Sequence, residues 1–211
     1  MTVRDSPMGG AKPTTADLAR FAGLDTEALL DVLPADGARL RLLIVGINPG
    51  LWTAAVNAPF ARPGNRFWPS LHRAGLTSSV VDASRGLDAS DEAELLGRGI
   101  GITNLVGRAT VRADELTREE LRDAGARLTR RVQMMRPLVV AIAGITAFRT
   151  AYRQPKAVLG HQDASLIEGW PSEVKLWVVP QPSGLNAHES IDSLADKWRT
   201  VWQAGEAVDG R

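Results

Sequence analysis

The chain has 211 residues, 44% hydrophobic and 23% charged, which is enough for one α/β domain with a sizeable core and too few for two. Lys and Arg number 25 against 24 Asp and Glu, a formal net charge of +1, which argues against nucleic-acid affinity supplied by charge alone. Cysteine is absent, so disulfides, thiol catalysis, zinc ribbons and iron–sulfur clusters are excluded together.

Residues 1–13 are rich in Gly, Pro and polar side chains, which predicts a disordered start. Thr14 or Thr15 can cap a helix running to about Leu33, with Leu18, Phe21, Leu24, Leu29, Leu30 and Leu33 as its apolar stripe. Pro34-Ala-Asp-Gly37 ends it. Four short apolar runs follow, Leu40–Ile47, Ile100–Val106, Leu138–Ala143 and Val174–Val179, each the pattern of a strand buried on both faces. Helical patterns lie between them: Asn65–Ala74, Glu92–Leu96, the long Arg-rich Leu116–Met135, and Thr146–Tyr152; Ser190–Trp202 closes the chain. The alternation predicts a three-layer α/β/α fold with a four-stranded, mostly parallel central sheet, as one domain over residues 14–205 and a flexible tail at 206–211.

His72, His161 and His188 are widely spaced, so no His-built metal site and no cofactor is expected. No apolar run approaches the roughly 20 residues that span a bilayer, and residues 1–15 have no signal-peptide core, so the expectation is a cytoplasmic protein with no membrane partner.

Ligands of open α/β sheets bind where strands end. After the first run stands Gly46-Ile47-Asn48-Pro49-Gly50, and after the last stands Gln181-Pro182-Ser183-Gly184-Leu185-Asn186. The first reads two ways. Its glycines can bring backbone close to a ligand, with Asn48 holding a water or reading a base edge, or it is a strand-terminating turn with Asn48 left-handed. Between 59 and 68, Pro-Phe60-Ala-Arg62-Pro-Gly-Asn65-Arg66-Phe-Trp mixes aromatics with two cations. Phe60, set between prolines, can stack a flat ligand; Arg62 and Arg66 are candidate phosphate contacts; Phe67 and Trp68 fit the core face of the next helix. Leu185, at a glycine-flexed tip, can wedge into a base stack or simply pack.

Charge is segregated along the chain. Residues 41–77 carry Arg41, Arg62, Arg66 and Arg73 with no acid, and residues 121–160 carry eight basic groups against Asp123 alone. Such blocks can build an anion-attracting face, or they reflect an Arg-heavy composition, since 21 of the 25 cations are Arg.

The strings GINPGL (46–51), PFARPGNRFW (59–68), AGLT (74–77), GITNLVGRAT (101–110) and QPSGL (181–185) occur in one order that resembles the mismatch-specific uracil-DNA glycosylases, sisters of the thymine-DNA glycosylases. The resemblance runs from about Leu40 to Trp202, leaving the helix expected over 14–35 outside it. It implies a monomeric, monofunctional hydrolase that flips uracil from G·U mispairs in double-stranded DNA and leaves an abasic site, with no metal or other cofactor. By the same resemblance, Asn48 positions the attacking water. The backbone around Ile47 and Gly50 recognises the pyrimidine, Phe60 stacks on it, and Asn65 lines its pocket. Leu185 fills the hole in the duplex, Gly184 and Asn186 face the orphaned guanine, and Ser183 contacts phosphate.

The chain departs from the family pattern in places. Asn104 stands where a member can carry Lys, Ala187 stands where some carry Arg, and Thr53 lies near the side that senses the base 5-position. Gln181 before Pro-Ser disfavours the neighbouring glycosylases with a histidine in the late motif. No Lys in either loop can form a Schiff base. The acids between Asp88 and Glu94 read as a helix start, with Asp91 a lesser candidate to assist the water. On this reading the two basic blocks are expected on the strand-end face.

Overall fold

The computed structural model describes residues 4–22, 29–35, 37–184 and 186–206. Four parallel strands, β1 (Leu42–Gly46), β2 (Ile100–Asn104), β3 (Val139–Ala143) and β5 (Lys175–Val179), occupy the four apolar runs. A fifth, β4 (Gly160–Gln162), pairs antiparallel with β5, and the sheet order is β2-β1-β3-β5-β4. The expected count was therefore one short. Gly-His-Gln has no apolar run to signal it, and as a three-residue edge strand it needs none.

Side-chain alternation along the strands makes two cores. Leu42 and Ile44 of β1 point with Val139 and Ala141 of β3 into one, closed by α3 (Phe67–Arg73) and α7 (Ile191–Glu206) through Phe67, Leu71, Leu194 and Trp198. Leu43 and Val45 point with Val140 and Ile142 into the other, closed by α5 (Arg118–Met135) and α6 (Ile145–Ala151) through Leu128, Val132 and Phe148. That is the expected three-layer arrangement. Phe67 and Trp68 are buried, as the core reading has them.

Three elements differ from expectation. The helix α1 (Thr15–Ala19) spans five residues, capped by Thr14 and Asp17 in a reciprocal box. Of the longer stripe, Leu24 lies outside the described residues, and residues 29–33 are not helical. Instead Val32 forms an antiparallel bridge to Ile102 of β2, exchanging two backbone hydrogen bonds of 2.9 Å. A short helix, α2 (Leu51–Val56), starts directly after the 46–50 turn and buries Thr53, Ala54, Ala55 and Val56. The helix α4 (Ala89–Gly97) begins three residues earlier than its apolar pattern.

Residues 4–13, expected to be disordered, hold specific contacts. The Arg4 side chain is 4% exposed, paired with Glu92 at 3.0 Å. Asn57 Nδ2 donates to the Asp5 carbonyl at 3.0 Å, and Met8 packs on the first core. A buried guanidinium with a carboxylate partner supplies the ordering that composition does not suggest.

Candidate active site at the strand ends

Parallel pairing of β1 and β2 continues past the sheet. The N–H groups of Leu105, Val106 and Thr110 donate to the carbonyls of Gly46, Ile47 and Pro49 at 2.9 to 3.1 Å, lacing the 46–50 turn to residues 105–110. Asn48 is not left-handed, which removes the alternative of a turn stabilised by that conformation. Its Nδ2 donates to the Arg108 carbonyl at 3.0 Å and to Thr110 Oγ1 at 2.7 Å. Thr110 in turn donates its own proton to the Arg112 carbonyl at 2.7 Å, so its oxygen must accept from Asn48. Both partners demand a donor, which fixes the amide orientation. Oδ1 is thereby left as the acceptor, with no donor to it among the described residues.

The turn opens into a cavity of about 930 Å³. Of the residues singled out by sequence, Ile47, Asn48, Gly50, Thr53, Phe60, Arg62, Asn65, Asn104, Ser183 and Asn186 line it. Phe60 stacks on Phe67 with centroids 3.9 Å apart and planes 22° from parallel, and the half-buried ring forms part of the wall. Its backbone is left-handed (φ 53°), a conformation that costs a bulky residue about 1–3 kcal/mol and clusters at ligand sites. Asn65 Oδ1 accepts from the Phe67 N–H at 2.9 Å, tying the wall to the start of α3. Gly46 is pressed by two wall residues: a Cβ there would lie 2.4 Å from Asn104 Oδ1 and 3.4 Å from Phe60 Cζ.

Three assignments fall differently. Arg66 does not stand free for phosphate: its guanidinium donates to the carbonyls of Asn186 and Glu189 at 2.7 Å and of Gly184 at 3.2 Å. It clamps the 184–189 loop, and its own N–H donates to the Pro182 carbonyl at 2.9 Å. Gly184 is off the cavity wall and lies against Gly64, whose carbonyl oxygen would sit 2.7 Å from any Cβ. The Asn186 amide shapes its own loop, donating to Gln181 and accepting from the His188 N–H. Leu185 lies outside the described residues.

Of the cations in the two basic blocks, only Arg62 lines the cavity among the described residues. Helices that cross between parallel strands run back along the sheet, so only their first turns reach the carboxyl ends. Arg136, at the C-terminus of α5, pairs with Glu173, and Arg149 of α6 donates to the Ala157 carbonyl at 2.6 Å. Arg41, at the base of β1, pairs with Glu206 and stacks over Trp202 at 3.6 Å. The cations at the cavity are Arg62, Arg112 and Arg118, two of them from the charge-balanced stretch 98–120. Asp114 is the one carboxylate of the wall among the described residues, and it pairs with Arg112.

Asp91 is away from this wall. Its neighbours are engaged elsewhere, Glu92 with Arg4 and Glu94 with Ser78 and Arg98, while burial followed by the charges of Asp88 and Glu94 raises the Asp91 pKa. Glu120 is held down to about 2, first by hydrogen bonds from Arg108 and then by the Thr117 N–H. That pair anchors Arg108, whose carbonyl orients Asn48. Among the described residues, no three His, Asp or Glu side chains converge on a metal position.

Thr110 carries the geometry without a signal of its own role in the sequence, whereas Gly46 is one of the turn glycines singled out there. Thr110 acts through a hydrogen-bond relay, and Gly46 acts by having no side chain.

Fold and cavity together define a three-layer α/β domain with a cavity at the carboxyl ends of its parallel strands. The family model of the Uracil DNA glycosylase superfamily matches residues 34–204, and the chain belongs to that superfamily. It is accordingly a DNA glycosylase, with DNA as its substrate.

Proposed function

We propose that this protein is a monofunctional glycosylase that excises uracil from G·U mispairs in duplex DNA, acting as a monomer. The observation that carries the reading is the fixed Asn48 amide, whose Oδ1 is the acceptor left over at the cavity. An acceptor there holds the attacking water beneath C1′ of a flipped nucleotide. Glycosidic cleavage through an oxocarbenium-like state depends more on stabilising the departing base than on a strong nucleophile. Backbone around Ile47 and Gly50 takes the charge developing on uracil, Phe60 stacks on the ring, and the amides of Asn65 and Asn104 read its edges. Ser183 holds phosphate, while Leu185 fills the duplex where the base has left. A neutral Asn makes a weak base, so the enzyme is slow and favours weakly held mispairs. No Lys lines the cavity among the described residues, which supports base release without strand cleavage.

The test is an end-labelled duplex with one U·G pair, incubated with protein and then treated with alkali. Cleavage at the uracil, faster than in a U·A duplex, is expected. Replacing Asn48 by Ala should lower the single-turnover rate by about 10²-fold or more while duplex affinity stays within a few-fold. Absence of abasic product with wild-type protein overturns the proposal, and equal rates for the two proteins overturn the role of Asn48.

A further inference from the structure

Residues 29–32 lie outside the matched region 34–204, yet one of them, Leu29, lines the cavity. They are pinned from four sides. Val32 exchanges two hydrogen bonds with Ile102, and Arg4 donates to the carbonyls of Leu30 and Asp31 at 2.5 and 2.8 Å. Asn57, buried and left-handed, accepts from the Leu30 N–H at 3.0 Å, and Arg131 pairs with the Asp31 carboxylate. A loop segment tied this densely has little freedom to move with the ligand, so any side chain it presents is a fixed wall.

Leu29 is that side chain. It is 9% exposed, yet it belongs to neither core cluster. It lines the 930 Å³ cavity and also a second cavity of about 500 Å³ that runs beside α5 between Glu120 and Arg131. Among the described residues, Leu29 and Asn104 alone are common to both walls. Both spaces therefore abut these two side chains. Asn104 reaches over Gly46 and supplies a polar edge, whereas Leu29 supplies bulk without a hydrogen-bonding group.

We propose that this N-terminal strap is part of the base-binding site and that Leu29 is a specificity-determining residue, setting the largest base the cavity admits on the side of Asn104. The proposal rests on the glycosylase reading above. Shortening Leu29 joins the two cavities and makes room for a ring extended on its pairing edge. A change of a few methylenes in an apolar wall alters discrimination by roughly 10–200-fold.

Single-turnover rates and KM would be measured on duplexes with uracil or the bulkier 3,N4-ethenocytosine opposite guanine. For Leu29→Ala the ratio of kcat/KM for ethenocytosine to that for uracil should rise about tenfold or more. Leu29→Phe should lower the ratio and raise KM for both bases. Leu166→Ala, at a residue 67% exposed and away from both cavities, should leave the ratio at the wild-type value. Arg4→Met, which unties the strap without touching the cavity, should move the ratio in the same direction as Leu29→Ala. Thermal melts identify any variant that fails to fold, and Leu29→Phe and Arg4→Met keep the proposal testable if Leu29→Ala does. An active wild type with an unchanged ratio in the Leu29 variants overturns the role of the strap and leaves the glycosylase reading intact. A wild type that excises neither base overturns both.

Discussion

Replacing Gly46 by Ala isolates one contact that the active-site reading depends on. The added Cβ would meet Asn104 Oδ1 at 2.4 Å, against 3.4 Å or more for ordinary contact, while Phe60 Cζ at 3.4 Å can stay in place. The obstacle is the end of a polar side chain, so the backbone need not yield. Asn104 must swing away by about 1 Å, and a misplacement of that size near the chemistry costs on the order of 10²-fold in rate. Overfilling a tight site costs roughly 1–3 kcal/mol. In a domain of this size that lowers Tm by several degrees, at about 2–4 °C per kcal/mol. Single-turnover excision on the U·G duplex and calorimetric melting would be run on Gly46→Ala, Asn104→Ala and the double variant. The double variant should regain most of the lost stability, because the clashing atoms are gone, but none of the lost activity. Wild-type turnover in Gly46→Ala, or a double variant no more stable than Gly46→Ala, would refute the reasoning.

Other expectations concern the groups that orient the site. Thr110→Val removes the acceptor that fixes the Asn48 amide and should slow excision at least tenfold, with Thr110→Ser restoring it; a Val variant at the wild-type rate would show that the relay is idle. Arg62→Ala should reduce the slope of log affinity against log salt by about one, the signature of a lost phosphate contact, while Arg66→Ala should weaken duplex binding with the slope unchanged. An equal slope change for both would restore Arg66 as a phosphate ligand. Glu120 is lowered from 4.5 to about 2, so the stability it contributes is present above pH 4.5 and is lost as pH falls towards 2. The Tm difference between wild type and Glu120→Gln should therefore be largest near pH 6 and shrink below pH 4.5; a difference flat across that range would refute the pairing with Arg108.

The readable parts of this chain are those whose signal is local. Leu42–Gly46 and Val139–Ala143 are apolar throughout because both faces of each strand are covered, and composition alone reports that. The 46–50 turn and the 59–68 loop are legible as motifs because stacking, an amide and close backbone approach call for particular residue types at short spacing. Features made by distant pairing are not legible. Leu29 carries an apolar signal that fits a helix stripe equally well, and only the bridge from Val32 to Ile102 places it at the cavity. Thr110 reads as an ordinary loop threonine until Asn48 and Arg112 are seen on either side of its hydroxyl. The charge blocks misled for a geometric reason. Summing along the sequence ignores that a helix such as α5 has one end at the site and the other at the far side of the sheet.

The bridge at Val32 also bears on how copies of this chain behave in solution. Strand β2 is the outer strand on one side of the sheet, and at its midpoint both polar backbone groups of Ile102 are taken by Val32. On the other side β4, three residues long, stands outside β5. An open margin of an apolar sheet is a template on which another chain can add a strand, and self-association follows from it. A version trimmed to residues 34–204 would bare the β2 margin and tend to aggregate. Val32 thus shields the β2 margin, apart from anything Leu29 contributes to the choice of base.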